Sequence, residues 1–323
     1  MFDKMIEKLK ANPQKLVFTE GSDPRILEAA SRLKQDKIVE PILLGNVEEI
    51  RAAAARLGFS IDGIELIDPL SYAGIDQMVA ALVALRKGKL DEAAARETLQ
   101  KGNYFGTMLV QQGLADGLLG GATYSTADTV RPALQLVKTK PGSSIVSSCF
   151  ILHREVAGGD ERYAMGDCAI NIDPSEDELV EIAVETARTA KVFGIDAKVA
   201  MLSYSSMGSG KGPTVDKVRG ATEKLKAMST DFPVDGELQF DAAFSPEVAK
   251  TKCKSSPVAG QANTFIFPDI NAGNIGYKIA QRLGGFKAYG PILQGLNAPI
   301  NDLSRGCDAE EVYMMSIITA SVK

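Results

Sequence analysis

The stretch KLVFTEGSDPRILEAASRLK, residues 15–34, contains a strand, a turn and a helix in immediate succession. KLVFTEG reads as a buried strand. Asp23 then stands where an N-cap belongs, since its carboxylate can accept from the orphan N–H groups of a first turn. Pro24 suits the first helical position, where its missing N–H costs nothing, and ILEAASRLK carries the apolar spacing of a helix. Working outward, VEPILLG and GIELIDP read as the next strands, with NVEEIRAAAARLG as a capped helix between them. IDQMVAALVALRKGK and LDEAAARETLQ read as helices, LADGLLGG as a buried strand ending in glycines, and a further helix begins near Ser125. Short apolar runs alternating with helices are the sign of βα units around a mostly parallel sheet, so this half is expected to form a doubly wound α/β core.

The pattern changes near residue 140. SSIVSSCFILHREV and ERYAMGDCAIN are strand-like and separated by AGGD, a hairpin signal, so an antiparallel element is expected to open a second unit. The helix SEDELVEIAVETARTAKVFG, the strand AKVAMLSYS, the helix VDKVRGATEKLKAM and the strand NTFIFPD continue it in α/β fashion. A terminal segment, strand-like in AYGPILQGL and helical from about Asp308, is expected to return and complete the first sheet. The expected domains are residues 1–140 plus 298–323, and residues 141–297.

Composition agrees with two cores. A chain of 323 residues with 45% apolar and 24% charged side chains is globular in character and too long for one ordinary core, and two domains imply a cleft. The formal net charge of -5 argues against a general nucleic-acid binder, because phosphate-backbone affinity needs clustered Lys and Arg. Any anion site must be local. No apolar run reaches the length of a membrane helix and MFDKMIEKLK lacks a signal-peptide core, so neither a membrane partner nor secretion is expected, and the chain reads as cytoplasmic. Cys149, Cys168, Cys253 and Cys307 lack metal-ligand spacing and read as free thiols, while a lone His153 excludes a multi-histidine metal site. No metal is expected.

Several segments carry side chains suited to chemistry. GLLGGATYSTADTVRP, residues 117–132, sets two glycines and the hydroxyls of Ser125 and Thr126 before a helix bearing Asp128 and Arg131. It reads either as a phosphate seat, with main-chain N–H groups at a helix start, or as a tight turn with a hydroxyl cap. SYSSMGSGKGPT, residues 203–214, fails as a P-loop because Ser205 and Gly212 stand where GxxxxGK[ST] needs glycine and Ser or Thr. It is expected to be a flexible loop at a strand end. In FPDINAGNIGYKIAQRLGG, residues 267–285, Lys278 and Arg282 lie one turn apart on one helix face, which by pattern alone is a solvated stripe. NDLSRGCDAEE, residues 301–311, packs Asp302, Ser304, Arg305, Glu310 and Glu311 around Gly306. Arginine offers a planar fork matched to phosphate, a serine hydroxyl can donate to an oxyanion, and a carboxylate one turn on can act as a base. The same letters also spell a capping box from Asp308 to Glu311, and both readings can hold together.

EGSDPR, STADTVRPAL, GDCAIN, SYSSMGSGKGP, DAAF, FPDINAGNIGYKIAQRLGG and PINDLSRGC, in that order over nearly the whole chain, resemble the phosphate acetyl/butyryltransferase family. GPILQGLNAPINDLSRG with STADTVRPALQ looks like its acetyl branch, which moves an acetyl group between coenzyme A and inorganic phosphate. Phosphate butyryltransferase is the alternative within the family. The resemblance implies two α/β domains flanking a cleft, isocitrate/isopropylmalate dehydrogenase-like in shape, in a homodimer. It also implies small-molecule substrates (acetyl-CoA, phosphate, acetyl phosphate and CoA) and no permanently bound cofactor. Residue by residue, Ser304 and Arg305 match an active-site Ser-Arg pair, and Arg131 and Arg86 match phosphate-binding arginines, with Ser125 and Thr126 beside the first. Arg282 matches an arginine that contacts the 3'-phosphate of coenzyme A, with Lys278 on the same face. Glu311 stands where the family has an aspartate general base, one methylene longer. A decarboxylating NAD(P) dehydrogenase of similar shape is disfavoured by the lack of GxGxxG in the first βα unit and of clustered carboxylates for a metal. A non-catalytic regulatory domain is disfavoured by the retention of Ser304, Arg305, Arg131 and Arg282 together.

Overall fold

A computed structural model describes residues 2–322. The chain divides into two compact units, Met1–Pro141 with Leu296–Lys323, and Gly142–Gly295.

The first unit opens with helix α1 (Asp3–Ala11), strand β1 (Gln14–Phe18) and helix α2 (Pro24–Gln35). Asp23 caps α2 by accepting from Arg25 N at 2.9 Å, and Pro24 occupies its first turn, as KLVFTEGSDP predicts. Strand β2 (Val39–Leu44), helix α3 (Val47–Leu57), strand β3 (Glu65–Ile67) and helices α4 (Ile75–Arg86), α5 (Glu92–Leu99) and α6 (Gly102–Gln111) follow. Strand β4 (Gly117–Gly120) leads into the short helix α7 (Thr126–Pro132), which widens into a π-helical turn over Ala133–Val137. Pro132, which has no N–H to donate into an α-helical ladder, stands where the widening begins.

The second unit begins with the hairpin of β5 (Ser147–Val156) and β6 (Gly159–Gly166), which AGGD predicts. Helix α8 (Glu176–Val192), strand β7 (Val199–Leu202), helix α9 (Pro213–Ala227), strand β8 (Val234–Leu238) and helices α10 (Phe240–Phe244) and α11 (Pro246–Lys252) come next. Strand β9 (Thr264–Ile266), helix α12 (Ile270–Arg282) and strand β10 (Lys287–Gln294) complete the unit. The chain then re-enters the first unit as β11 (Ile300–Asp302) and α13 (Ala309–Ser321).

The first sheet has the order β11-β4-β1-β2-β3 and every pairing in it is parallel. The second has the order β10-β5-β6-β9-β7-β8, antiparallel across β10-β5-β6 and parallel beyond. One expectation is corrected here. AYGPILQGL does not complete the first sheet; as β10 it pairs antiparallel with β5 in the second. The strand that returns is β11, whose three residues IND lie alongside β4. A run that short carries no periodicity of its own, so the longer apolar run next to it takes the eye. No helix among the described residues is long and apolar enough to cross a membrane.

Candidate active site

Parallel pairing makes β1, β4 and β11 end on the same side of the first sheet, with Leu119 opposite Phe18 and Asp302 opposite Gly120. Loops that follow neighbouring parallel strands therefore gather at one edge, the usual place for a ligand in such sheets. Here the loops are residues 19–23, 121–125 and 303–308.

Glu20 organises the glycine-rich loop. Its Oε1 accepts from Gly121 N at 3.1 Å and Thr123 N at 3.0 Å, while Oε2 accepts from Thr19 Oγ1 at 2.7 Å. The loop thus does present main-chain N–H groups to an anion, but two of them already face a carboxylate of the chain itself. The hydroxyls of Ser125 and Thr126 are also committed, donating to Asp128 Oδ2 at 2.7 Å and to Asp302 Oδ2 at 2.6 Å. The seat read from GGATYST is in this respect internally filled. Arg131, at the last turn of α7, is exposed.

Asp302 is 1% exposed and also accepts from Thr129 Oγ1 at 2.6 Å. Burial pushes its carboxyl up to about 6; the two threonine hydroxyls and Arg305 oppose that rise and Glu20 adds to it. Gly121 makes the enclosure possible. It has φ +99°, and a Cβ there would stand 2.2 Å from Asp302 Oδ1, so no other residue fits.

Beyond Asp302 the backbone of Leu303 donates to Gly120 O at 2.7 Å, and Ser304, Arg305 and Gly306 emerge as an exposed tip. That tip is held from below by Arg25. Its Nη1 donates to Arg305 O at 2.9 Å and Cys307 O at 3.1 Å, and Nη2 to Ala122 O at 3.0 Å. Asp23 fixes the guanidinium in turn through Nε at 2.9 Å and Nη2 at 2.8 Å. One fork therefore pins all three loops, a task the point charge of lysine cannot perform. Replacing Arg25 by alanine should lower unfolding stability by about 2–4 kcal/mol, because the carbonyls of Ala122, Arg305 and Cys307 lose a charged donor, and Arg25→Lys should recover little of it. Chemical denaturation of the purified variants checks this.

Glu311 is the third residue of α13 and closes the expected capping box: its N–H donates to Asp308 Oδ1 at 2.8 Å and its Oε2 accepts from Asp308 N at 3.2 Å. Cys307, between the exposed tip and this box, is buried. Burial raises its thiol to about 11 despite the Arg25 charge, which leaves it a poor nucleophile near neutral pH. Arg86 ends α4, which packs against the π-helical turn after α7, and its buried Nε has no hydrogen-bond partner among the described residues.

Lys278 and Arg282 belong to the second unit, both exposed on α12. Asp269 caps that helix through Ala272 N at 3.0 Å, and Gly273 lets it press on the loop below, where a Cβ would stand 2.4 Å from Asp167 O. The loop after β7 repeats the device seen at Glu20. Buried Glu237 accepts from Ser205 Oγ at 2.8 Å, Gly208 N at 2.7 Å and Arg219 Nε at 3.2 Å. Burial alone would raise its carboxyl, but Arg219 and these donors outweigh it and hold it below the usual range. His153 lies in the hairpin with Nε2 3.0 Å from Asp160 Oδ2.

Sequence reasoning did not single out Glu20, Arg25, Thr129 or Glu237. Glu20 and Arg25 sit inside EGSDPR, one of the matched segments, and are visible there as charged residues of a strand-to-helix turn.

Comparison with known proteins places the chain. The sequence signature described as phosphate acetyl/butaryl transferase matches residues 1–320. The phosphate acetyltransferase of Bacillus subtilis (strain 168) is 53% identical over 321 residues, 99% of this chain and 98% of that protein. A crystal structure of a phosphotransacetylase from Streptococcus pyogenes superposes with a TM-score of 0.96 at 57% identity, covering 99% of this chain and 97% of that one. A branched-chain phosphotransacylase from Enterococcus faecalis V583 shares the fold at 21% identity, with a TM-score of 0.68 over 95% of this chain and 98% of that one. With the signature matched over nearly its full length, the chain belongs to the phosphate acetyl/butaryl transferase family.

Proposed function

We infer that the protein is a phosphate acetyltransferase, an acyltransferase that exchanges an acetyl group between coenzyme A and inorganic phosphate. The observation that carries this is identity of about half along the full chain with a phosphate acetyltransferase, rather than with an acyltransferase of longer chains. The reaction we propose is a direct transfer with both substrates bound. The thiol of free coenzyme A, with a pKa of about 8.5, is mostly protonated near neutral pH, so a carboxylate that takes its proton during attack raises the reactive thiolate. Glu311 takes that part. The thiolate attacks the acetyl carbonyl of acetyl phosphate, Ser304 donates to the developing oxyanion, and Arg305 with Arg131 stabilises charge on the departing phosphate. The exposed Ser304–Arg305 tip on a pinned loop supports those roles. Arg86, whose Nε has no hydrogen-bond partner among the described residues, is proposed as a further phosphate ligand. Lys278 and Arg282 are proposed to hold the coenzyme A phosphate. No acyl-enzyme is needed, and the protonated, buried Cys307 is unsuited to one.

We also propose a cytoplasmic homodimer. Ile275 and Ile279 on α12 and Leu283 at its C-cap follow one another at one-turn spacing and are 58%, 53% and 86% exposed, an apolar stripe that a second copy would cover.

Incubation with acetyl-CoA and phosphate should release CoA, detected with a thiol reagent, and butyryl-CoA should be turned over more slowly. Double-reciprocal plots should intersect. Parallel lines would indicate a covalent acyl-enzyme, and no release with either thioester would sink the assignment.

A further inference from the structure

Asp302 stands two residues before Ser304, yet the reaction above gives it no part. With 1% exposure and an acceptor contact on each oxygen, it cannot reach a thiol, so access excludes it as a base. What it touches is informative. Thr126 and Thr129 are successive hydroxyls on one face of α7, the helix that ends in Arg131, whereas Asp302 ends β11 and runs directly into Ser304 and Arg305. Each hydroxyl reaches a different oxygen at 2.6 Å, so the carboxylate bridges the two segments as a two-toothed clasp. Gly121 leaves the space for it.

We propose that Asp302 is a positioning residue of the transfer reaction, its carboxylate locking α7 and Arg131 to the Ser304–Arg305 loop so that the two arginines meet one phosphate at a fixed separation. The inference rests on the acetyl transfer assigned above. It also predicts how the clasp fails. A protonated Asp302 would present an O–H where a threonine is already donating, and one tooth would open. The charged and titratable groups around it are Glu20 from the loop after β1, Arg305 from its own loop and Tyr124 from the loop before α7. Glu20 favours protonation and Arg305 opposes it, so the acid side of the rate profile reports on their balance.

The test compares Thr129→Val, which keeps the shape of the side chain and removes the donor, with Thr129→Ser, which keeps the donor. In Thr129→Val, kcat/KM for phosphate should fall about 10-fold to 100-fold, the usual effect of unpairing a buried charged acceptor, with KM for acetyl-CoA little changed. Its acid-side fall in rate should move to higher pH, because a bond favouring the ionised carboxylate is gone. Thr129→Ser should restore both. Asp302→Asn is the second variant and should show the same loss for phosphate. Wild-type kinetics and an unmoved acid limb in Thr129→Val, or an equal loss for acetyl-CoA, overturn the clasp while leaving the acetyl transfer intact. An unmutated protein inactive toward acetyl-CoA and phosphate overturns both.

Discussion

Arg305→Ala should retain its fold and lose about 100-fold to 1,000-fold in kcat, the usual effect of removing one preorganised donor from developing charge. The structure separates the two properties. Arg25 holds the loop through the carbonyls of Arg305 and Cys307, so truncating the Arg305 side chain leaves those contacts in place. The side chain itself belongs to an exposed tip. Thermal unfolding should therefore change little while turnover collapses. Arg305→Lys should recover only part of the rate, since an ammonium cannot present two parallel donors to phosphate. Near-normal turnover and phosphate KM in Arg305→Ala would remove Arg305 from the phosphate site.

Glu311→Gln tests the proton transfer, and its expected cost is about 100-fold to 10,000-fold in kcat, the range spanned by general acid–base catalysis. Glutamine is the informative choice because of the capping box. The Glu311 side chain accepts from Asp308 N, and an amide oxygen can accept the same bond, so α13 should keep its start and the protein its stability. A drop in kcat without a drop in melting temperature would then report lost basicity alone. Full kcat in Glu311→Gln would hand the proton to solvent, since Asp302 is closed off by burial.

Strong local signals in the sequence led directly to structure. Asp23 with Pro24 and Asp308 with Glu311 announce helix starts within a few residues, and both caps form as spelled. The hairpin at AGGD and the parallel β1-β2 pairing are equally local in origin. What stayed illegible depends on distant partners. IND offers only three residues, and its place at the sheet edge is set by β4, far earlier in the chain. Ser125 and Thr126 advertise hydroxyls but cannot show that Asp128 and Asp302 already accept them. Glu20 reads as an ordinary charge after a strand until the loop beginning at Gly121 folds over it. Arg25 needs partners at Ala122, Arg305 and Cys307 before its role exists at all.

The split of the first unit also bears on how the molecule is made. Its opening portion ends at Pro141, and the missing strand and helix arrive only after the whole of Gly142–Gly295 has been synthesised. Until then β4 is an outer strand with one side unpaired, the kind of edge that invites wrong pairing, and α13 is absent from its contacts with α1, α2 and β4. Vectorial synthesis therefore completes the later unit before the earlier one. A chain stalled at Gly295 would hold most of its residues and none of the Ser304–Arg305 loop, so catalytic competence should appear only once residues 296–323 are made rather than growing with chain length.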